Sequence, residues 1–197
     1  GLNCETENKP KANPCGICSN CKAILKDRYE DVLEIDAASN TGVDDVREII
    51  SSLKYRPSKG SYKVFIIDEV HMLSNSAFNA LLKTIEEPPS FVKFIFCTTE
   101  MQKIPITIVS RCQKYNLNRV TLTALCEHLE KIAEIEKLDI SKEAITVIVR
   151  NSEGSIRDSL TILDQCILSF NNENIDVEKV NQTLGLTSQS FLLDLYI

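Results

Sequence analysis

Two carboxylates stand side by side at Asp68-Glu69, directly after the apolar run Val64-Phe65-Ile66-Ile67. A run without alternation reads as a strand covered on both faces, as in a parallel sheet. Ligands of open α/β sheets bind at the carboxyl ends of the strands, where this pair would sit. The first acid is placed there to hold a hydrated magnesium ion beside a nucleotide's phosphates, and the second to orient or deprotonate the attacking water. A strand that merely ends in solvated acids is the plain alternative. His71 follows two residues later, and Asp-Glu-x-His is also a helicase spelling. Helicases of that kind need a Ser-Ala-Thr element and a second nucleotide-binding domain, and the sequence has neither. His71 therefore reads as a structural residue at the turn, and His128 as a solvated helix residue.

A second chemical group lies at the start. Cys4, Cys15, Cys18 and Cys21 offer four thiolates within a stretch that Pro10, Pro14 and Gly16 can turn. Four sulfur ligands close a tetrahedral zinc site and leave no position for substrate, so its role would be structural. An iron–sulfur cluster takes the same number of cysteines and tolerates the x2 spacing, and free surface thiols are the third reading. Cys97, Cys112, Cys126 and Cys166 are scattered singly in apolar surroundings and read as small core residues. Single cysteines without an export signal point to a reducing compartment, so a cytoplasmic location is expected.

The elements that must position these groups follow from periodicity. Val32-Leu33-Glu34-Ile35-Asp36 reads as a strand followed by the polar turn Ser39-Asn40-Thr41-Gly42. Val43, Val46, Ile49, Ile50 and Leu53 then recur at helical spacing. Ser74, Asn75 or Ser76 can cap the helix of Phe78, Leu81, Leu82 and Ile85, which Pro88-Pro89 follow closely. Phe94-Ile95-Phe96-Cys97 reads as another buried strand. Strands alternating with helices predict an α/β layer with a parallel sheet. Beyond about Arg119 the pattern is helical only. Leu125, Leu129, Ile132 and Ile135 mark one helix, and Ala144, Ile145, Ile148 and Val149 the next. Ser155 can cap a third through Leu160, Leu163 and Ile167, and a short fourth follows Asp176.

Composition sets bounds on partners. A net charge of -6 argues against a stand-alone nucleic-acid binder, because phosphate neutralisation needs a basic face. No apolar run approaches the roughly 18 residues of a membrane span.

Beyond Asp68-Glu69 the matches accumulate. Asp68-Glu69-Val70-His71-Met72-Leu73-Ser74, then Phe78-Asn79-Ala80-Leu81-Leu82-Lys83-Thr84 and Glu86-Glu87-Pro88-Pro89, closely resemble the gamma/tau family of bacterial DNA polymerase III, the AAA+ ATPases of the sliding-clamp loader. Ser110-Arg111-Cys112 is similar to that family's arginine-finger signature, and Gly154-Ser155-Ile156-Arg157-Asp158 to its lid signature with the second sensor. The resemblance implies a RecA-like ATPase domain, a three-helix lid and a helical collar. This chain would hold part of the first over residues 1–119, with a zinc module at about 4–21. The lid would follow over 120–184 and the start of the collar over 185–197. It also implies roles. Asp68 matches the magnesium-holding acid and Glu69 the catalytic base. Thr99, or Thr98 as the close alternative, matches the first sensor at the terminal phosphate. Arg111 would reach a neighbouring subunit's nucleotide, and Arg157 the phosphates of its own. Cys4, Cys15, Cys18 and Cys21 correspond to the family's structural zinc module.

The sequence departs from the family in one respect. Gly-x-x-x-x-Gly-Lys-[Ser/Thr] occurs nowhere, and the resemblance places it upstream of residue 1. Backbone amides and the lysine of that loop supply most of the phosphate binding. The chain is therefore expected to be an amino-terminally truncated fragment, inactive and weak in binding ATP by itself. Implied partners of the parent are the other subunits of a hetero-oligomeric ring, the sliding clamp, primer-template DNA and the replicative polymerase. The Asn40-Thr41-Gly42 turn has no basic side chain for DNA, which leaves Lys103 as the local candidate. Two rivals remain: a non-hydrolysing, delta-prime-like scaffold subunit of the same complex, and a zinc-dependent nucleic-acid adaptor. An intact Asp68-Glu69 pair argues against the scaffold, and the acidic charge against the adaptor.

Overall fold

The uninterrupted run Val64–Ile67 forms the middle of a three-stranded sheet. A computed structural model describes residues 1–6, 10, 12–39, 42–170 and 174–186. They fall into two units, Gly1–Tyr115 and a second that begins at Asn116. In the first, β1 (Val32–Asp36), β2 (Lys63–Asp68) and β3 (Val92–Phe96) are parallel and lie in that order. Register pairs Ile35 with Ile67 and Asp36 with Asp68, so the carboxyl ends of β1 and β2 are level. Helices α2 (Val43–Ser52) and α3 (Asn75–Glu86) connect the strands. Ser74, one of three predicted caps, is the one used: its hydroxyl accepts the Ala77 amide at 3.2 Å.

The core of this unit gathers Ala37, Val46, Ile67, Val70, Leu73, Ala77, Phe78, Leu81 and Ile108 beneath those helices. A second cluster joins Ile49, Leu53, Phe65 and Val92. The prediction of a fully buried third strand is corrected: β3 starts at Val92 rather than Phe94, and Ile95 is 46% exposed. Of the three strands only β2 has a neighbour on each side; β3 is paired along one edge. Sequence periodicity also missed α1 (Ser19–Ile24) and α4 (Ile106–Val109), both too short to show a helical repeat.

The turn between α2 and β2 is caged by two side chains, Asp31 just before β1 and Asn3 near the start of the chain. Asp31, 1% exposed, accepts the backbone amides of Ser58, Lys59 and Gly60 at 2.8, 2.9 and 3.1 Å. Asn3 continues the row, its Oδ1 accepting from Ser61 N and Tyr62 N while its Nδ2 donates to Tyr62 O. Only glycine fits at position 60, where a Cβ would lie 2.5 Å from Tyr29 Oη and 2.6 Å from Asn3. Burial pushes the Asp31 carboxyl up, but the amides of Lys59, Ser58 and Gly60 outweigh it and hold it below its ordinary value. A carboxyl held low stabilises the fold above the ordinary value of about 4 and loses that contribution as pH falls through the depressed one. Asp31→Asn is therefore expected to cost about 3 kcal/mol at neutral pH. Its thermal midpoint should fall less between about pH 4 and pH 2 than the wild type's. Parallel pH curves for the two proteins would show that Asp31 does not supply this acid-sensitive stability.

The second unit is helical: α5 (Leu122–Glu136), α6 (Lys142–Asn151), α7 (Ile156–Phe170) and the short α8 (Val177–Thr183). Its core includes Leu125, Leu129, Ala144, Ile145, Ile148, Val149, Leu163, Cys166 and Val180. Ile135, predicted on the buried stripe of α5, is instead 75% exposed, because that stripe ends at Ala133. Ser155 caps α7 as predicted, accepting the Asp158 amide at 3.2 Å. Gly154 has φ +80°, and a Cβ there would lie 2.8 Å from the Val120 carbonyl. No other residue meets both conditions without strain. The expected collar, 185–197, lies outside the described residues from position 187 onward.

Candidate functional site

Asp68 ends β2 with its side chain exposed, its Oδ1 accepting the Glu69 amide at 2.9 Å. Glu69 has φ 46° and ψ 42°, the left-handed region that non-glycine residues seldom occupy. Strain of this kind persists where surrounding structure enforces it and clusters at functional sites. The enforcement is visible: Val70 N donates to Cys97 O at 3.0 Å and Cys97 N to Ile67 O at 2.9 Å. The ladder thus continues past β3 and turns the chain sharply at Glu69.

That extension brings Thr98, Thr99 and Glu100 beside the acid pair. Thr99 Oγ1 lies 3.4 Å from Glu69 Oε2, while Thr98 Oγ1 accepts the Glu100 amide at 3.0 Å and meets His71 Nδ1 at 3.0 Å. The two threonines have therefore different surroundings: Thr99 is exposed beside Glu69, and Thr98 faces the imidazole. His71, read from sequence as a turn residue, has a side chain only 7% exposed and lies against Glu69 and Glu100. The field here is negative: burial first, then Asp68, Glu34 and Glu69, push the Cys97 thiol above its usual value.

Arg111 lies elsewhere on this unit. Its Nη2 is 2.6 Å from Glu86 Oε1 on α3, and its Nη1 donates to the Thr107 carbonyl at 2.6 Å. Lys103 pairs with Glu100 at 2.7 Å. In the helical unit Arg157 is exposed at the start of α7 and has no ion pair among the described residues. The neighbouring Glu153 is engaged by Arg119, which donates to the Glu153 carbonyl at 2.6 Å.

The four early cysteines converge. Their sulfur atoms all lie within 4.8 Å of one another, with Cys15 and Cys21 3.9 Å apart. Zinc–sulfur bonds of about 2.3 Å place tetrahedral ligands about 3.8 Å apart, so the cluster has the size a zinc ion needs. Amides also point at sulfur, Cys18 N at Cys15 and Cys21 N at Cys18. The Thr6 hydroxyl, then the Cys15 backbone, hold the Cys4 thiol at about 5. The Gly16 backbone pulls Cys21 down, but crowding by the other thiols and burial carry it up to about 11. Of the scattered cysteines, Cys166 is buried and Cys97, Cys112 and Cys126 are partly so.

Comparison with known proteins decides the family. A family model described as DNA polymerase III, delta subunit, matches residues 1–121, and one described as DNA polymerase III clamp loader subunit, ATPase lid domain, matches 124–179. The chain belongs to the DNA polymerase III clamp-loader family. Among clamp-loader relatives it is 46% identical to DNA polymerase III subunit tau of Bacillus subtilis over 97% of this chain and 33% of the relative. It is 44% identical to subunit tau of Escherichia coli over 99% of this chain and 30% of that one. The chain thus spans about a third of the length of these curated relatives. A solved Thermotoga maritima RuvB, titled a Holliday junction branch migration motor, superposes with a TM-score of 0.64 at 18% identity, covering 84% of this chain and 55% of the other. That likeness establishes the fold: a RecA-like AAA+ sheet unit with a helical lid. Among the described residues, no helix of this clamp-loader chain is long and apolar enough to cross a membrane.

Proposed function

We propose that this chain is part of the ATP-hydrolysing gamma/tau-type subunit of a bacterial clamp loader, working in the cytoplasm. The parent couples ATP binding and hydrolysis to loading of the sliding clamp on primer-template DNA, within a hetero-oligomeric ring and alongside the replicative polymerase. The observation that carries this reading is the acid pair at the end of β2, with the Thr99 hydroxyl 3.4 Å from Glu69. Asp68 holds the magnesium ion, which neutralises charge on the phosphates. Glu69 orients and deprotonates the attacking water. Thr99 is the first sensor, a reading supported by its exposure beside Glu69. Arg157 reaches the phosphates from the lid, and Arg111 acts on a neighbouring subunit's nucleotide. Cys4, Cys15, Cys18 and Cys21 hold a structural zinc, supported by the size of their cluster. Lys103 is the local DNA candidate.

A non-hydrolysing scaffold subunit is the second reading, favoured by the delta-subunit description of the matching family model. Glu69→Gln in the full-length parent, assembled with its partners, separates the two. Loss of the base is expected to lower DNA-stimulated turnover by about 10²–10⁴-fold with ATP binding retained. Unchanged turnover attributable to this subunit would make it a scaffold.

A further inference from the structure

We propose that His71 is a positioning residue that holds the Glu69 carboxylate in its working orientation, an inference that rests on Glu69 being the base. Three observations converge. The imidazole is nearly enclosed, its side chain 7% exposed, so it cannot swing away as a surface residue would. Both nitrogens face polar groups: Nδ1 lies 3.0 Å from Thr98 Oγ1 and 3.3 Å from Glu69 Oε2, and Nε2 lies 3.3 Å from Glu100 Oε1. On the far side the same Glu100 Oε1 takes a 2.7 Å bond from Lys103. His71 thus sets a single enclosed, rigid ring between the strained Glu69 and the Glu100–Lys103 pair.

The need for such a link follows from geometry. Glu69 has three rotatable side-chain bonds and is partly exposed, so its carboxylate would otherwise sample many positions. A base must sit within hydrogen-bond reach of the water it activates. Thr99 and His71 both meet the same oxygen, Oε2, which leaves Oε1 for that water. Misplacing a reacting group by about 1 Å can cost about 100-fold in rate.

The test uses the full-length parent assembled with its partner subunits, reading kcat and ATP affinity separately. His71→Ala is expected to lower turnover by about 10–100-fold while the ATP dissociation constant changes by less than about 3-fold. An asparagine amide can occupy the place of Nδ1 and a glutamine amide that of Nε2. His71→Asn should therefore recover most of the turnover and His71→Gln should not. A purely structural histidine would give losses that follow melting temperature, with no advantage for asparagine. If His71→Ala does not fold, the asparagine–glutamine comparison decides by itself, and equal turnover in those two variants overturns the proposal. Wild-type turnover in His71→Ala beside an inactive Glu69→Gln overturns the positioning role and leaves the base reading intact. Full turnover in Glu69→Gln removes both.

Discussion

Arg111→Ala in the full-length parent, assembled with its partners, is expected to lower DNA-stimulated ATP turnover and clamp loading by about 10³–10⁵-fold. ATP binding and assembly should survive. The size of the effect separates two roles for one guanidinium. Within this chain Arg111 pairs with Glu86, but the two side chains are 38% and 46% exposed. A pair so open to water contributes about 0.2–1 kcal/mol, far too little to explain a thousandfold loss through stability. Such a pair also exchanges readily for a stronger anion, and an always-charged guanidinium suits charge developing on a transferred phosphate. Glu86→Gln is the control: it removes the pair and spares the guanidinium, so turnover should stay within about 3-fold if the pair contributes no more than this. If Glu86→Gln reproduces the Arg111→Ala defect, Arg111 is an anchor for α3. In mixed rings the defect must appear at the neighbour's ATP site; a defect confined to the mutated subunit's own site would refute the trans assignment.

Purified under reducing conditions without chelator, the chain is expected to hold one zinc ion, and stripping it should unfold the first turns of the chain. Structural zinc contributes about 10–16 kcal/mol of apparent binding energy in small modules near neutral pH, so its removal is not a minor perturbation. Cys4 and Cys21 are buried, 7% and 5% exposed, so losing the ion would remove the link that holds two interior side chains together. The damage should spread, since Asn3 precedes Cys4 directly and Asn20 Nδ2 donates to the Asn3 carbonyl at 3.0 Å. Cys21→Ser should lower zinc content and the midpoint of thermal unfolding together. Elemental analysis settles the ion: iron with a visible absorption band would replace zinc by a cluster, and no metal at all would return the four thiols to the free state.

What could be read from residues alone follows the range of the interactions. β2 was legible because a central parallel strand is apolar on both faces, and the helices of the second unit because their stripes recur within one segment. Ile95 was misread because exposure at an edge depends on which strand lies beside it. The paired carboxylates were legible as a motif, but the left-handed turn at Glu69 was not: it is enforced by Cys97, nearly thirty positions later. His71 was undervalued for the same reason. Its enclosure comes from Thr98 and Glu100, which only the sheet register carries to it. Asp31 and Asn3 carry no periodic signal at all; each is a single polar residue whose partners lie 27 to 59 positions away.

A loop reading Pro-Ser-Lys-Gly-Ser-Tyr, placed before a strand, would ordinarily swap its amide protons with solvent within moments. Here five successive amides, Ser58 through Tyr62, each end on the side chain of Asp31 or Asn3. The Ser61 and Tyr62 protons are held by Asn3, and those of Ser58, Lys59 and Gly60 by Asp31 at the foot of β1. Faster deuterium uptake at 61 and 62 than at 58–60 therefore reports the amino-terminal segment lifting away from a loop that stays in place.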